Sequence, residues 1–262
     1  MPTDLSPIEK AKFVAAKRAV EFVEPGMKLG LGTGSTAAWM VRCLADRIRD
    51  EGLRVTGVPT STRTAELARS LGVPITSLDE AKWLDLTIDG ADEVDPLLHL
   101  IKGGGAALLQ EKIVATASDR MIVIADAGKK VAHLGAFPLP IEVIPFGWQT
   151  TKALVEELLI SVDVLNREVS LRMAGDKPLI TDEANYILDL HLNRIGNPRQ
   201  LALVLNQVPG VVENGLFIDI CDVLVVGHGD GRVQVHDINV GAESDTVIEL
   251  GSPLNIFADT DD

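Results

Sequence analysis

Two rhythms of apolar and polar positions run through the first half of the chain. Residues Pro7 to Val23 read as a helix. Ser6 is placed to cap it, with Pro7 at the first helical position and Glu9 three residues after the cap. Pro25-Gly26 ends it, and Met27 to Leu31 predicts a short strand. That strand runs into Gly30-Leu31-Gly32-Thr33-Gly34-Ser35-Thr36, followed by a helix from Ala37 to about Arg49. Val55 to Val58 predicts the next strand. Thr60-Ser61-Thr62 caps a helix that reaches Leu71 and stops at Gly72. Val73 to Thr76 reads as a short strand, Trp83 to Ile88 as a buried one, and Met121 to Ala125 as another. A helix over Ala106 to Ala117 stands between the last two. Strand and helix alternating in this way predict a parallel sheet covered by helices.

The rhythm changes after Lys130. Pro138, Pro140 and Pro145 punctuate short strands. A helix over Thr150 to Ile160 is followed by strands at Val169 to Met173 and Tyr186 to Leu192. Asn197-Pro198 then starts a helix to about Asn206. Two helices among several short strands predict a small α+β domain over 133–207. Val211 to Phe217 and Val223 to Val226 read as buried strands returning to the first sheet. The larger domain is then discontinuous, 1–132 plus 208–235. A polar, acidic extension over 236–262 is left without a role, its last residues frayed.

Composition narrows the function classes. The 262 residues are 46% hydrophobic and carry 38 acidic against 24 basic side chains, a net charge of −14. Such a balance disfavours nucleic acid and anionic membrane, since phosphate contacts need a basic surface. No apolar run reaches membrane-spanning length, and the first residues lack the apolar core of a signal peptide. Cys43 and Cys221 lie far apart in apolar runs and read as reduced core residues. These features predict a cytoplasmic protein.

The chemistry concentrates in Leu86 to Lys112, LTIDGADEVDPLLHLIKGGGAALLQEK. Two carboxylates, Asp89 and Asp92, follow a strand; Lys102 precedes Gly103-Gly104-Gly105; and Glu111 lies about two turns inside the next helix. This is an acid/base constellation beside an anion-binding helix start. Glu111 leans back toward the glycines, sharing a face with Ala107 and Leu108. It is either a partly desolvated base or an exposed glutamate paired with a lysine. Asp89 and Asp92 read as proton-transfer groups, turn caps, or, with Asp95, metal ligands, although their spacing does not fit a calcium loop. The five histidines are scattered without ligand spacing, so no metal is expected. Lys102 is suited to hold developing oxygen charge, where losing one donor costs about 2.7–4 kcal/mol of barrier.

Two further strand ends carry candidate groups. In Gly32 to Thr36 the glycines admit a ligand close to the backbone, and Thr33, Ser35 and Thr36 add hydroxyls. The loop reads as a cradle for phosphate or sugar hydroxyls, or as a plain tight turn. A dinucleotide fit is weak, because no acidic residue ends the Val55 to Val58 strand; the P-loop pattern fails outright. Lys129, after Asp126-Ala127-Gly128, is solvated or holds a phosphate. Ligands of parallel sheets bind beyond the carboxyl ends of the strands, so these turns predict one shared site.

With these residues in view, the chain resembles the type A ribose-5-phosphate isomerases. The matching stretches are GLGTGSTA (30–37), DGADEVD (89–95), IKGGGAALLQEK (101–112), FPLPIEVIPF (137–146) and VPGVVENGLF (208–217). The resemblance implies a Rossmann-like domain with a smaller ferredoxin-like α+β domain, a homodimer or homotetramer, and no cofactor or metal. It implies a sugar-phosphate aldose-ketose isomerase of the non-oxidative pentose phosphate pathway, working through an enediolate. Glu111 falls on the proton-transferring glutamate, Asp89 on the aspartate of ring opening and hydroxyl proton transfer, and Lys102 on the lysine near the reacting oxygens. Thr33, Gly34, Ser35 and Thr36, then Asp89, Gly90, Ala91 and Asp92, then Lys102, Gly103, Gly104 and Gly105 fall on substrate-binding loops, with Lys129 a further contact. Similar chains often have serine where this one has Gly128, and TDNGN where it has Thr181-Asp182-Glu183-Ala184-Asn185. A sugar-phosphate sensor or an amino-sugar phosphate deaminase on a related fold is the rival class.

Overall fold

A computed structural model of the chain describes residues 5–248. Seven strands form its large sheet. In chain order these are β1 (Lys28–Leu31), β2 (Thr56–Pro59), β3 (Leu86–Gly90), β4 (Met121–Asp126) and, much later, β9 (Val223–Gly227), β10 (Arg232–Asp237) and β11 (Ala242–Val247). Their spatial order is β11-β10-β9-β4-β3-β1-β2. The five strands from β9 to β2 run parallel, and the β10–β11 hairpin is added antiparallel at one edge. From β1 the chain moves outward to β2 and then back across to β3. The order therefore reverses between β1 and β3, where a crevice opens at their carboxyl ends.

Helices α1 (Pro7–Val20) and α2 (Ser35–Glu51) pack on one face through Phe13, Val14, Trp39, Met40 and Leu44. The opposite face buries Met121, Val123 and Leu224 with Leu100 and Phe217. The caps read from sequence form: Ser6 Oγ accepts from Glu9 N, and Ser61 Oγ accepts from Thr64 N at the start of α3 (Thr62–Ser70). Helix α1 stops at Val20, three residues short of the expected end.

The second sheet contains β5 (Leu139–Val143), β6 (Glu168–Leu171), β7 (Tyr186–His191) and β8 (Val211–Asn214), in the antiparallel order β8-β5-β7-β6. Helix α5 (Trp148–Leu158) joins β5 to β6, and α6 (Pro198–Leu205), capped by Asn197, joins β7 to β8. This βαββαβ order with interleaved outer strands is the ferredoxin-like unit. Its core holds Leu139, Ile141, Val155, Leu188 and Leu201. Between α3 and these elements lies α4 (Leu108–Thr116).

Four expectations are corrected. Val211–Asn214 pairs with β5 of the small sheet and does not return to the first one. Gly215 carries the chain between the two units: its N–H donates to Pro140 O and its carbonyl accepts from Lys102 N. The acidic extension is not a featureless tail at its start. His236 and Asp237 complete β10, whose Val233 and Val235 alternate into the core, and Ala242–Val247 pairs with it as β11, so the extension starts inside a hairpin of the large sheet. The expected limits at 208 and 235 move accordingly; the frayed end falls outside the described residues. Trp83 is 53% exposed, bonded through its indole N–H to Asp119, and β3 begins at Leu86. Val73 to Thr76 supplies only one bridge, Ile75 to Gly57, where a strand was expected.

Candidate active site

The crevice between β1 and β3 gathers the three residues singled out for chemistry. Asp89 is the fourth residue of β3 and is fully buried. Its Oδ1 accepts from the N–H groups of Thr33 (3.0 Å) and Gly90 (2.7 Å). This contact explains Gly32: a Cβ there would lie 2.1 Å from Asp89 Oδ1, so only glycine lets the two strand ends touch. Lys102, 2% exposed, ends the short strand Leu100–Ile101. Its Nζ donates to Gly90 O at 2.6 Å and lies 3.0 Å from Asp89 Oδ2 and 3.3 Å from Glu111 Oε2. Neither of those two carboxylate oxygens receives a hydrogen bond of good geometry. They are held by charge and keep a lone pair free.

Glu111 is 3% exposed, so of its two readings the desolvated carboxylate holds and the exposed glutamate does not. Its place in the helix differs from expectation. Ala106 has φ +58° and Ala107 is not helical, so α4 starts at Leu108 and Glu111 sits in its first turn. The glycine loop thus runs further than the pattern suggested, and the carboxylate is correspondingly closer to Lys102.

The electrostatics follow from burying three charges together. Burial pushes the Glu111 carboxyl up to about 8, helped by the nearby Asp89 charge and opposed by Lys102. Burial likewise raises Asp89, against the pull of Lys102. Burial alone would lower Lys102, but Asp89 and Glu111 outweigh it and hold the ammonium well above its ordinary value. Lys102 is therefore held as a cation, and Glu111 holds its proton to higher pH than an ordinary carboxyl.

Around this triad runs a cleft of about 170 Å³ lined by Gly34, Ser35, Thr36, Gly90, Ala91, Asp92, Gly103, Gly104, Gly105 and Lys129. Asp92 Oδ2 accepts from Gly104 N at 2.8 Å and so ties the two loops together. Asp95 Oδ2 pairs instead with His99 Nδ1 at 3.1 Å. Thr33 borders the cleft, but its hydroxyl bonds with those of Thr60, Ser61 and Thr64 in a buried cluster beneath it. Gly34, at φ +115°, opens α2 without a side-chain cap, leaving its first-turn amides without a capping side chain. Lys129 borders the cleft on a short turn whose start is capped by Asp126. Lys12 of α1 also borders the cleft, paired with Glu9. Sequence reasoning missed Lys12, because nothing local distinguishes it from Lys10 and Lys17 on the same helix.

The family model for ribose 5-phosphate isomerase A (phosphoriboisomerase A) matches residues 56–231. The chain belongs to the ribose 5-phosphate isomerase A family. A ribose-5-phosphate isomerase A of Cereibacter sphaeroides is 73% identical over the full length of both chains, and one of Ruegeria pomeroyi 70%. Among solved structures, a D-ribose-5-phosphate isomerase in complex with phospho-erythronic acid is 42% identical with a TM-score of 0.81, covering 89% of this chain and 100% of its own. Ribose 5-phosphate isomerase A of Methanocaldococcus jannaschii is 41% identical at TM-score 0.79, covering 86% and 97%. Membership makes the chain an isomerase.

One departure from the family pattern has a physical cost. Ala184 stands where glycine is common, and its φ is +60°, a region that Cβ disfavours. The same loop spans two units: Asp182 accepts from Thr62 N at 2.8 Å, and Glu183 accepts from Gln110, beside Glu111. Ala184→Gly is expected to stabilise the protein by about 0.5–1 kcal/mol, since relief of strain exceeds the added unfolded-state entropy. A urea midpoint unchanged or lowered in the variant contradicts this.

Proposed function

We propose that the chain interconverts D-ribose 5-phosphate and D-ribulose 5-phosphate, as in the pentose phosphate pathway, with Glu111 as the base. The observation that carries this reading is the ammonium of Lys102, itself buried, set 3.0 Å from Asp89 and 3.3 Å from Glu111. After ring opening, Glu111 takes the proton from carbon 2 and returns it to carbon 1 on the same face. Lys102 and loop N–H groups hold the oxygen charge of the enediolate between those steps. Asp89 moves protons among the ring and hydroxyl oxygens. Because Lys102 stays charged, it acts as an electrostatic group and not as a nucleophile. The α2 start with Ser35 and Thr36, together with Lys12 and Lys129, takes the phosphate at the opposite end. Base catalysis provides about 10²–10⁴-fold, and anchoring by the phosphate provides much of the rest.

The relative bound to phospho-erythronic acid supports the substrate class: that ligand is a four-carbon acid phosphate. The deciding assay is isomerisation by the purified protein, with and without a chelator. Turnover in both supports the proposal; ammonia release from an amino-sugar phosphate, or sugar-phosphate binding without turnover, overturns it.

The pH profile is a further expectation. Glu111 must lose its proton to act, so kcat/KM rises with pH as this group ionises around 8. A profile flat from neutral to alkaline pH contradicts the assignment.

A homodimer or homotetramer in the cytoplasm completes the reading. Phe146, 89% exposed, and its neighbour Ile144 offer apolar surface for self-association. Cys43 and Cys221 are buried and unpaired, as suits a reducing compartment. Among the described residues no helix is long and apolar enough to cross a membrane.

A further inference from the structure

The glycine loop is gripped from behind by a side chain of the small unit. Arg172 follows β6 directly. Its Nη1 donates to the carbonyl of Gly103 at 2.8 Å and to that of Gly104 at 3.3 Å. Its Nε donates to Asp189 Oδ2 at 2.8 Å, and its Nη2 to Asp189 Oδ1. Both side chains are largely buried. The two-pronged carboxylate contact fixes the plane of the guanidinium, so Nη1 has one direction available, toward the loop.

Peptide geometry carries that grip into the cleft. In a trans peptide the C=O and N–H of one planar unit point opposite ways. The Gly103 carbonyl shares its unit with the Gly104 N–H, which donates to Asp92, so this unit is held at both ends. The Gly104 carbonyl shares its unit with the Gly105 N–H. With that carbonyl on Arg172, the N–H points away from Arg172. Gly105 lines the cleft, and among the described residues no protein group accepts from this N–H. A cation on the carbonyl also polarises the unit and strengthens its N–H as a donor. Ala106 N donates to Gly103 O at 3.0 Å and closes the turn from within, but among the described residues the Gly104 carbonyl has Arg172 as its partner and no loop group, so the Gly104–Gly105 unit, between flexible glycines, takes its orientation from outside.

We propose that Arg172 is a positioning residue for the isomerisation. It holds the Gly104–Gly105 peptide so that the Gly105 N–H meets the substrate oxygen that gains charge in the enediolate. The inference rests on the proposed function, and Arg172 itself touches no reacting atom.

The test measures kcat, KM and two inhibition constants in wild type, Arg172→Met and Arg172→Lys. One inhibitor is phospho-erythronic acid, whose carboxylate would meet the Gly105 N–H on this proposal; the other is inorganic phosphate, which carries no carboxylate. Wild-type turnover in the same assay tests the functional reading separately. In Arg172→Met, kcat is expected to fall about 10–100-fold, less than for loss of a whole oxyanion donor. Phospho-erythronic acid should weaken in parallel while inorganic phosphate is unchanged, and Arg172→Lys should recover part of the loss. Wild-type kcat in either folded variant overturns the proposal. So does equal weakening of both inhibitors, which would mean general loosening of the cleft. Should Arg172→Met fail to fold because Asp189 is stranded, Arg172→Met with Asp189→Asn removes that charge and meets the same criteria, and Arg172→Lys keeps Asp189 paired.

Discussion

Glu111→Gln is expected to lower kcat by about 10²–10⁴-fold while KM moves only a few-fold. Glutamine keeps the volume of a side chain that is 3% exposed, and its amide oxygen can face Lys102 as the carboxylate did. What it loses is the ability to take a proton and give it back. On the proposed reading the phosphate is held by other groups, so ground-state binding survives and the loss falls on the transition state. Stability gives an independent readout with a defined sign. The folded pKa of Glu111 is raised from 4.5 to about 8. Its contribution is therefore fully present below 4.5 and is lost as pH rises through about 8. The glutamine variant has no such titration, so its melting temperature should fall less than that of wild type over this window. Turnover within tenfold of wild type, measured in a coupled assay, removes Glu111 from the role of base.

The main body of the large sheet was legible because it is built from local signals. The strand runs are apolar, the caps at Ser6, Ser61 and Asn197 are short-range chemistry, and each forms as read. The errors lie where a long-range partner decides. Val211–Asn214 has the same apolar character as a strand of the first sheet. Only the approach of Gly215 to Pro140 and Lys102 assigns it to the second. The stretch from His236 reads as a tail because it is polar and acidic, and only its pairing in β10 and β11 makes strands of it. Trp83 extended an apolar run that the backbone does not bury: Lys82, at φ +65°, precedes it, and its indole reaches Asp119 at the surface.

The same division holds within the site. Asp89, Lys102 and Glu111 were legible as a set because they lie within one short segment around a triple glycine. Their distances were not, and neither was the early position of Glu111 in α4, which depends on the positive φ of Ala106. Thr33 was expected to offer its hydroxyl to a ligand. That hydroxyl is occupied by Thr60, Ser61 and Thr64, and its backbone N–H serves Asp89 instead. Arg172 and Lys12 come from segments distant in sequence from Leu86 to Lys112, and no pattern around either marks it. What sequence reads poorly is thus the supporting shell, whose members are chosen by the folded surface they reach.

Lys102→Met is expected to damage both rate and fold, and the two losses share one origin. The ammonium is the only cation touching Asp89 Oδ2 and Glu111 Oε2 among the described residues. Methionine fills similar space but leaves two buried carboxyls facing each other without a countercharge. Breaking a buried pair in this way costs about 3–5 kcal/mol, because the stranded charge remains desolvated. The pair can recover part of that cost by holding protons. Asp89 and Glu111, both already raised by burial, should then rise further, and the variant's stability should fall more steeply with pH than that of wild type. The rate suffers twice. The oxygen charge of the enediolate loses its nearest donor, about 10²–10³-fold by itself. Glu111 also stays protonated over the range where wild type works, which moves the rise of kcat/KM to higher pH. Activity that returns at alkaline pH, but only to a fraction of the wild-type value, is the expected signature. A variant that melts and turns over as wild type does would mean that the lysine is a bystander, and the electrostatic account of the site would have to be abandoned.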